Sequence, residues 1–165
     1  MFFHEYGHNI DYVFGTNKVN GFVGDFKPLS CHYKNGLFYD TIQKECEENI
    51  AQWYAKSGLT AGIDSADAAK GFTEWVKNNY TIYERSDISD FFENYMTHKY
   101  GKKFEYPFGI GHGRDYYSGD PTRTAKEAFA EMYSATVTGN DSLETIKQFF
   151  PESYKVFLEM IGSVI

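Results

Sequence analysis

The sequence predicts a mainly α-helical fold in a single domain, and three observations support this prediction. Apolar residues recur at helical spacing in seven segments, which are separated by glycine, proline or asparagine. Only the short stretch 103–106 alternates in the manner of a strand. A length of 165 residues suits one hydrophobic core, and the chain shows no repeat, low-complexity tract or linker.

The first part of the chain is predicted to form one helix and a long loop. The helix is predicted over 2–14, because Phe3 and Ile10 fall on one helical face and Gly15 is a suitable end. Residues 16–36 hold several turn formers and no regular period, so they are predicted to form a loop that crosses the face of the domain.

The remaining helices are predicted in the same way. Three of them are 39–56 with Gly58 as its end, 65–79 with Asp64 as its N-cap, and 87–99 with Ser86 as its N-cap and Gly101 as its end. Glycines and prolines in 102–121 predict a short hairpin or an irregular loop. The last helices are predicted over 122–138, 142–149 and 151–162, with Gly139 after the first of them and Pro151 opening the last.

Composition and charge exclude several classes of function. A formal net charge of −7 and a pI of about 5.2 argue against nucleic acid as a partner, because binding it requires a basic face. No apolar run reaches the roughly 18 residues of a membrane span, and the polar start of the chain lacks the features of a signal peptide. Aromatic residues make up 19% of the chain. Most are expected in the core, and the remainder suit a cleft that binds an extended peptide.

Two sets of residues are expected to have no chemical role. Cys31 and Cys46 do not form a C-x-x-C pair, so they are expected to be free or buried thiols, although a bridge between them stays open. Glu45, Glu47 and Glu48 are expected to form a solvated helix face rather than a metal site.

The pattern with the clearest chemical meaning is His4-Glu5-Tyr6-Gly7-His8, which matches the H-E-x-x-H motif of zinc peptidases. Histidines four residues apart share one helix face, so His4 and His8 can bind one metal ion. Glu5 lies beside them, where it can hold and deprotonate a water molecule on zinc. Chance produces on the order of 0.01 such matches in a chain of this composition, so the motif predicts a metal site that requires a third ligand.

The third ligand can be sought along two routes. In H-E-x-x-H-x-x-G-x-x-H a glycine and a histidine would stand where this chain has Asp11 and Phe14, which closes that route. The other route is a glutamate on a separate helix, and Glu127 fits it, with Glu131 one turn later on the same face. Glu127 is therefore the predicted zinc ligand. Glu131 is predicted to accept a hydrogen bond from a ligand histidine, in the first instance His4.

Several alternatives stay open at this point. The two glutamates could instead form an exposed acidic pair on an amphipathic helix. His112, in a glycine-rich loop, is the main rival as third ligand, and His32 and His98 are weaker ones. Asp11 lies three residues after His8 and is predicted either to orient a ligand such as His8 or to be an ordinary exposed carboxylate.

Two segments together resemble the anthrax lethal factor-like zinc metallopeptidases, which are gluzincin-type zincins. The first is His4-Glu5-Tyr6-Gly7-His8-Asn9-Ile10-Asp11, and the second is Thr124-Ala125-Lys126-Glu127-Ala128-Phe129-Ala130-Glu131-Met132-Tyr133. The family shows H-E-[FY]-G-H followed by x-x-D, and a downstream E-x-F-A-E helix. Similar segments occur in toxin domains and in phage-encoded head-morphogenesis proteins from Gram-positive bacteria.

The resemblance implies a zincin-like helical core and a zinc-dependent endopeptidase that acts on a peptide or protein substrate. By motif match, the implied metal ligands are His4, His8 and Glu127, and the implied general base is Glu5.

The resemblance also implies a tyrosine, shortly before the glutamate helix, that stabilises the oxyanion. The matching offset falls on Asp120 in this chain. Tyr117 lies a few residues earlier and is the preferred candidate, with Tyr116 as the second.

The family's sheet normally precedes the H-E-x-x-H helix, and three residues stand before His4. The chain is therefore expected to lack that sheet, and to be an excised domain or the C-terminal part of a longer protein. The sequence leaves the localisation open; as part of a longer protein, the chain is expected to be secreted as a toxin or associated with a phage. Two other functions are weighed against the peptidase. One is a non-catalytic zinc-binding module for assembly or interaction, for example in phage head morphogenesis, and the other is a zinc-free helical domain with a coincidental motif.

Overall fold

The computed structural model describes residues 2–18, 27–139 and 141–163. The prediction of a mainly α fold is confirmed, since these residues contain helices and no strand. The α-helices, in chain order, are α1 (Phe2–Lys18), α2 (Leu29–His32), α3 (Leu37–Ser57), α4 (Ala66–Asn79), α5 (Ile82–Tyr100), α6 (Arg114–Ser118), α7 (Arg123–Thr138), α8 (Asp141–Phe149) and α9 (Pro151–Gly162). Within the described ranges no helix combines the length and apolarity needed to cross a membrane, in line with the sequence.

The first helix runs beyond its predicted end at Gly15 and reaches Lys18. Gly15 is buried, and a Cβ atom on it would lie 2.1 Å from the carbonyl oxygen of Lys27. This glycine therefore allows the returning chain to pack closely against α1, and it does not end the helix. Part of the predicted loop 16–36 is helical as well, because it contains α2, while residues 19–26 of that loop lie outside the described part.

The predicted helices in the middle of the chain are confirmed, but two of their N-caps were predicted wrongly. The N-cap of α4 is Ser65 rather than Asp64, because the Ser65 side chain accepts a hydrogen bond from the backbone N–H of Ala68. Helix α5 begins at Ile82, not near position 87, because Thr81 and Glu84 form a capping box one turn earlier. The predicted glycine ends hold for α3, α5 and α7, which stop at Gly58, Gly101 and Gly139.

The hairpin considered for 102–121 does not form. The segment contains a 3₁₀ turn at Lys102–Phe104 and the short helix α6. The reason is that the backbone N–H groups of Tyr106, His112 and Gly113 all donate to the carboxylate of Glu93 on α5, at 2.9–3.1 Å. A buried side chain therefore takes the donors that a second strand would have used.

The core is built largely from aromatic rings, as the composition predicted. Fully buried phenylalanines from α4, α5, the loop after it and the α8–α9 junction pack in tilted and edge-to-face pairs, with centroids about 5–6 Å apart: Phe72, Phe92, Phe108 and Phe150. Both cysteines are free thiols, and burial raises the pKa of Cys46 well above its ordinary value.

The expectation of a solvated face at Glu45, Glu47 and Glu48 is wrong for the first of these residues. Glu45 is 4% exposed, and its carboxylate accepts the backbone N–H groups of Glu152 and Ser153 at 2.7 and 2.9 Å. These amides open α9, so Glu45 caps that helix from another element and lies at its positive dipole end. Glu47 and Glu48 are exposed as expected.

Helices α1 and α7 pack closely together, and this contact fixes the candidate site. Gly7 of α1 is buried and faces Ala130 of α7. A Cβ atom on Gly7 would lie 2.8 Å from the Cα atom of Ala130 and 3.2 Å from its carbonyl oxygen. Small residues at this crossing let the two backbones approach each other.

Replacing Gly7 by Ala is expected to destabilise the protein by about 1–3 kcal/mol, because backbone atoms of α7 cannot rotate away from the added methyl group. Urea denaturation followed by circular dichroism measures this change. The matched control is Gly62→Ala, since a Cβ atom there meets nothing within 4 Å. Equal unfolding free energies for the two variants would contradict the close packing of α1 on α7.

Candidate metal centre

The two histidines of the motif lie together on α1, as their spacing predicted. One helical turn separates His4 from His8, and their Nε2 atoms are 3.1 Å apart. Both side chains are partly buried. The pair therefore offers two imidazole nitrogens to one point beside the helix.

Helix α7 brings Glu127 to the same point. Its side chain is almost completely buried, and its Oε2 atom lies 3.4 Å from His4 Nε2 and 3.3 Å from His8 Nε2. Ligands that bind zinc tetrahedrally at 2.0–2.2 Å stand about 3.4 Å apart. The three atoms thus have the separations expected for ligands of one zinc ion.

The bonding of Glu127 also suits a cation. Its Oε2 atom is enclosed, and no donor reaches it in hydrogen-bonding geometry. A buried carboxylate oxygen without a donor is costly unless a positive charge compensates it. Its other oxygen, Oε1, accepts a hydrogen bond from the hydroxyl of Tyr116, which orients the carboxylate.

Glu131 lies one turn after Glu127 and contacts the far side of His4. Its Oε1 atom is 3.0 Å from His4 Nδ1. The two atoms are within ion-pair distance but outside hydrogen-bonding geometry. The structure therefore brings Glu131 to His4, and the predicted hydrogen bond between them stays a prediction.

Electrostatics at this point favour a positive charge. The side-chain contact with Glu127, followed by that with Glu131, raises the pKa of His4 to about 10. Burial would raise the pKa of Glu127, but contacts with His4, His8 and Tyr116 outweigh it and hold that pKa well below its ordinary value. Both shifts have the sign expected where a positive charge is stabilised between these side chains.

Glu5, the predicted general base, is exposed on α1. Together with His4 it borders a recess of about 580 Å³ between α1, α5 and α7. The same recess is bordered by Asp90, by His112 and by the exposed side chain of Ile110. Glu5 therefore borders the same recess as the ligand candidate His4 and is open to solvent.

Asp11 is buried rather than exposed, so the alternative of an ordinary surface carboxylate is wrong. Its two oxygens accept hydrogen bonds from the N–H and the hydroxyl of Ser30, at 2.7 and 2.6 Å. Burial raises the pKa of Asp11 to about 6. These hydrogen bonds hold α2 against α1. The predicted role of Asp11 in orienting His8 stays a prediction.

The two candidate tyrosines of α6 have different surroundings. Tyr116 donates its hydroxyl to Glu127, whereas Tyr117 is 2% exposed and donates to Asp90 Oδ1 at 3.0 Å. Arg123 lies 4.9 Å above the Tyr116 ring and donates to its carbonyl oxygen. Tyr116 is therefore the tyrosine at the candidate centre, although the sequence favoured Tyr117.

His112 lies beside the centre but contacts it in a different way from the motif histidines. Its Nδ1 atom is 3.1 Å from Asp90 Oδ1, its Nε2 atom is 3.8 Å from Glu127 Oε2, and its ring stacks on Tyr116 at 4.4 Å. The sequence singled out His112 only as a rival ligand and missed Asp90. The sequence carries no clear signal for Asp90, because acidic residues also stand three positions before and after it, at Asp87 and Glu93.

Across the described ranges, two groups of metal-ligating residues have their ligand atoms within 4.8 Å of one another, namely His4, His8 and Glu127, and Asp90, His112 and Glu127. His32 and His98 belong to neither group, and His98 is exposed.

Comparison with known proteins brings no further information: no family model matches the chain, and neither does any curated protein or solved structure.

Proposed function

We propose that this protein is a zinc-dependent endopeptidase, with His4, His8 and Glu127 as zinc ligands. One observation carries the proposal, namely that His4 Nε2, His8 Nε2 and Glu127 Oε2 lie 3.1–3.4 Å from one another. Two imidazoles and one carboxylate form the ligand set of many catalytic zinc sites, in which a fourth position stays open. The resemblance of the two motif segments to the lethal factor-like zinc peptidases supports the same proposal.

The roles of the surrounding residues follow from their positions. Bound zinc would supply Lewis-acid activation of water and of the scissile carbonyl. Glu5, beside His4 and open to the recess, takes a proton from the attacking water and passes it to the leaving amine. The hydroxyl of Tyr116 donates its one proton to Glu127 Oε1. In the proposed reaction this hydroxyl turns from Glu127 and donates to the oxyanion instead. Glu131 keeps His4 in the tautomer that presents Nε2.

Removal of metal is expected to abolish peptide cleavage. The measurement is release of fluorescent fragments from labelled, unfolded casein by the purified protein, before and after treatment with 1,10-phenanthroline. Activity should disappear with the chelator and return after addition of one equivalent of zinc, whereas an inhibitor of serine peptidases should have no effect. Cleavage that persists in metal-free protein would contradict the proposal.

Replacing Tyr116 by Phe is expected to lower kcat by about 10²–10³-fold, because removal of one oxyanion donor typically has an effect of this size. The matched control is Tyr117→Phe, which removes a hydroxyl bonded to Asp90 and should lower kcat less than about tenfold. Steady-state kinetics on one peptide compares the two variants. A larger loss for the Tyr117 variant would reassign the oxyanion role to that residue.

A further inference from the structure

A small recess lies on the His8 side of the candidate metal centre, and its volume is about 360 Å³. The described residues that border it are two cationic side chains, two tyrosines and one histidine: Arg123, Lys126, Tyr12, Tyr116 and His8. Two of them also belong to the candidate site, since His8 is a proposed zinc ligand and the Tyr116 hydroxyl donates to Glu127. A group bound in this recess therefore lies beside the proposed reaction centre.

Arg123 brings a positive charge to the recess that no carboxylate of the described residues neutralises. Lys126 pairs with Asp120 Oδ2 at 3.5 Å, whereas Arg123 takes part in no ion pair within the described part of the chain. The hydrogen bond of Arg123 there runs from Nη1 to the carbonyl oxygen of Tyr116, at 2.6 Å. A guanidinium carries five N–H donors, so most of them stay available for an anion.

The guanidinium of Arg123 is also held in place. It lies 4.9 Å from the centre of the Tyr116 ring, and its hydrogen bond to the carbonyl oxygen of the same residue ties it to α6. Arg123 stands four residues before Glu127 on α7, so the two side chains leave the helix on the same face. A planar guanidinium oriented in this way matches the two oxygens of a carboxylate, and little further ordering is needed to bind one.

The larger recess at His4 has the opposite charge. The described residues that border it include four carboxylates and neither lysine nor arginine, and the carboxylates are those of Glu5, Asp87, Asp90 and Glu131. Like charges repel at such distances, so a further carboxylate is disfavoured there. The two recesses together favour a substrate whose carboxylate lies on the His8 side of the centre.

We propose that the recess at His8 binds a carboxylate group of the substrate, with Arg123 as the residue that donates to it and Lys126 as a second positive charge. The carboxylate belongs to an aspartate or glutamate near the scissile bond or to the C-terminus of a peptide, since both present the same group. The inference rests on the proposed function, because it assigns the substrate preference of that same site. Such a carboxylate is bound equally in the ground state and the transition state, so its loss raises KM more than it lowers kcat.

Cleavage of a synthetic mixture of decapeptides, with the fragments identified by mass spectrometry, tests this subsite. Zinc-loaded wild type should cleave with aspartate or glutamate enriched at one fixed position relative to the scissile bond. In the best-cleaved sequence, replacing that residue by its amide should lower kcat/KM by about 10–100-fold, as expected for loss of hydrogen bonds to a charged group. A second mixture with amidated C-termini distinguishes the two sources, because cleavage that amidation abolishes identifies the terminal carboxylate.

Arg123→Gln should reduce the preference for the carboxylate peptide over its amide to less than about threefold, since the guanidinium is gone. Arg123→Lys should keep part of the preference, because it retains the charge and loses the bidentate geometry. The matched control is Arg114→Gln, which removes an exposed arginine of α6 outside the recess and should leave the preference unchanged.

The possible results separate this inference from the proposed function. Cleavage without a preference for a carboxylate, or with a preference that Arg123→Gln retains, overturns the subsite and leaves the peptidase proposal standing. If no peptide is cleaved, the peptidase proposal fails, and the peptides retained on immobilised zinc-loaded protein then decide on the subsite. Carboxylates enriched among them and lost in Arg123→Gln support it, and the absence of that enrichment overturns it. Thermal unfolding identifies a variant that fails to fold; Arg123→Lys then provides the comparison, and a preference equal to that of wild type would overturn the inference.

Discussion

Replacing Glu5 by Gln is expected to lower kcat by about 10²–10⁴-fold while zinc binding stays unchanged. General acid–base catalysis by a positioned side chain typically contributes an effect of this size. Glutamine has nearly the same shape but cannot take the proton from water. Because Glu5 is exposed and lies outside both groups of metal ligands, its replacement should not disturb either the fold or the metal.

The comparison requires bound zinc and cleavage to be measured on the same preparation. Glu48→Gln provides the matched control, because Glu48 is exposed on α3, outside both groups of metal ligands. It should retain full activity. Equal rates for the Glu5 variant and wild type would refute the role of Glu5 as general base. Bound zinc without detectable cleavage in wild type would instead favour a non-catalytic zinc-binding module.

Replacing Glu127 by Ala is expected to lower zinc affinity by at least about 100-fold. The change removes one of three ligands, and even residues that only support a ligand typically change metal affinity by 10–100-fold. Glu127→Gln should show a similar loss, and it keeps an acceptor for the Tyr116 hydroxyl, so it separates loss of the ligand from loss of packing. Competition with a fluorescent zinc chelator measures these affinities.

Two further glutamates give a graded series for the same measurement. Glu131→Gln should lower zinc affinity by about 10–100-fold, because Glu131 contacts the ligand His4 rather than the metal. Glu144→Gln, on an exposed part of α8, should have no effect. If both Glu127 variants bound zinc as tightly as wild type, Glu127 would not be a ligand, and His112 would become the candidate in its place.

The features that sequence predicted well are those set by local spacing. Residues four apart on a helix share a face whatever surrounds them, so His4 and His8, and likewise Glu127 and Glu131, could be paired before any tertiary structure was known. Helix ends at glycine, such as Gly58 and Gly101, were predicted for the same reason.

The features that sequence missed depend on contacts between distant segments. Glu45 was predicted to lie on a solvated helix face, and no role was predicted for Glu93. Both are buried, and each accepts backbone N–H groups from another part of the chain. The choice between Tyr116 and Tyr117 depends on how the glycine-rich loop folds over α5, which residue spacing does not encode. Asp90 was missed for the same reason, since only tertiary packing brings it to His112.

The central claim is that α1 and α7 together bind one zinc ion through His4, His8 and Glu127. X-ray absorption at the zinc edge, on protein loaded with one equivalent of zinc, tests it most directly, together with a zinc-bound crystal structure. The Nε2 atoms of His4 and His8 and the Oε2 atom of Glu127 should each lie about 2.0–2.2 Å from the metal. Zinc bound at another position, or a coordination shell unchanged in His8→Ala and Glu127→Ala, would contradict the claim.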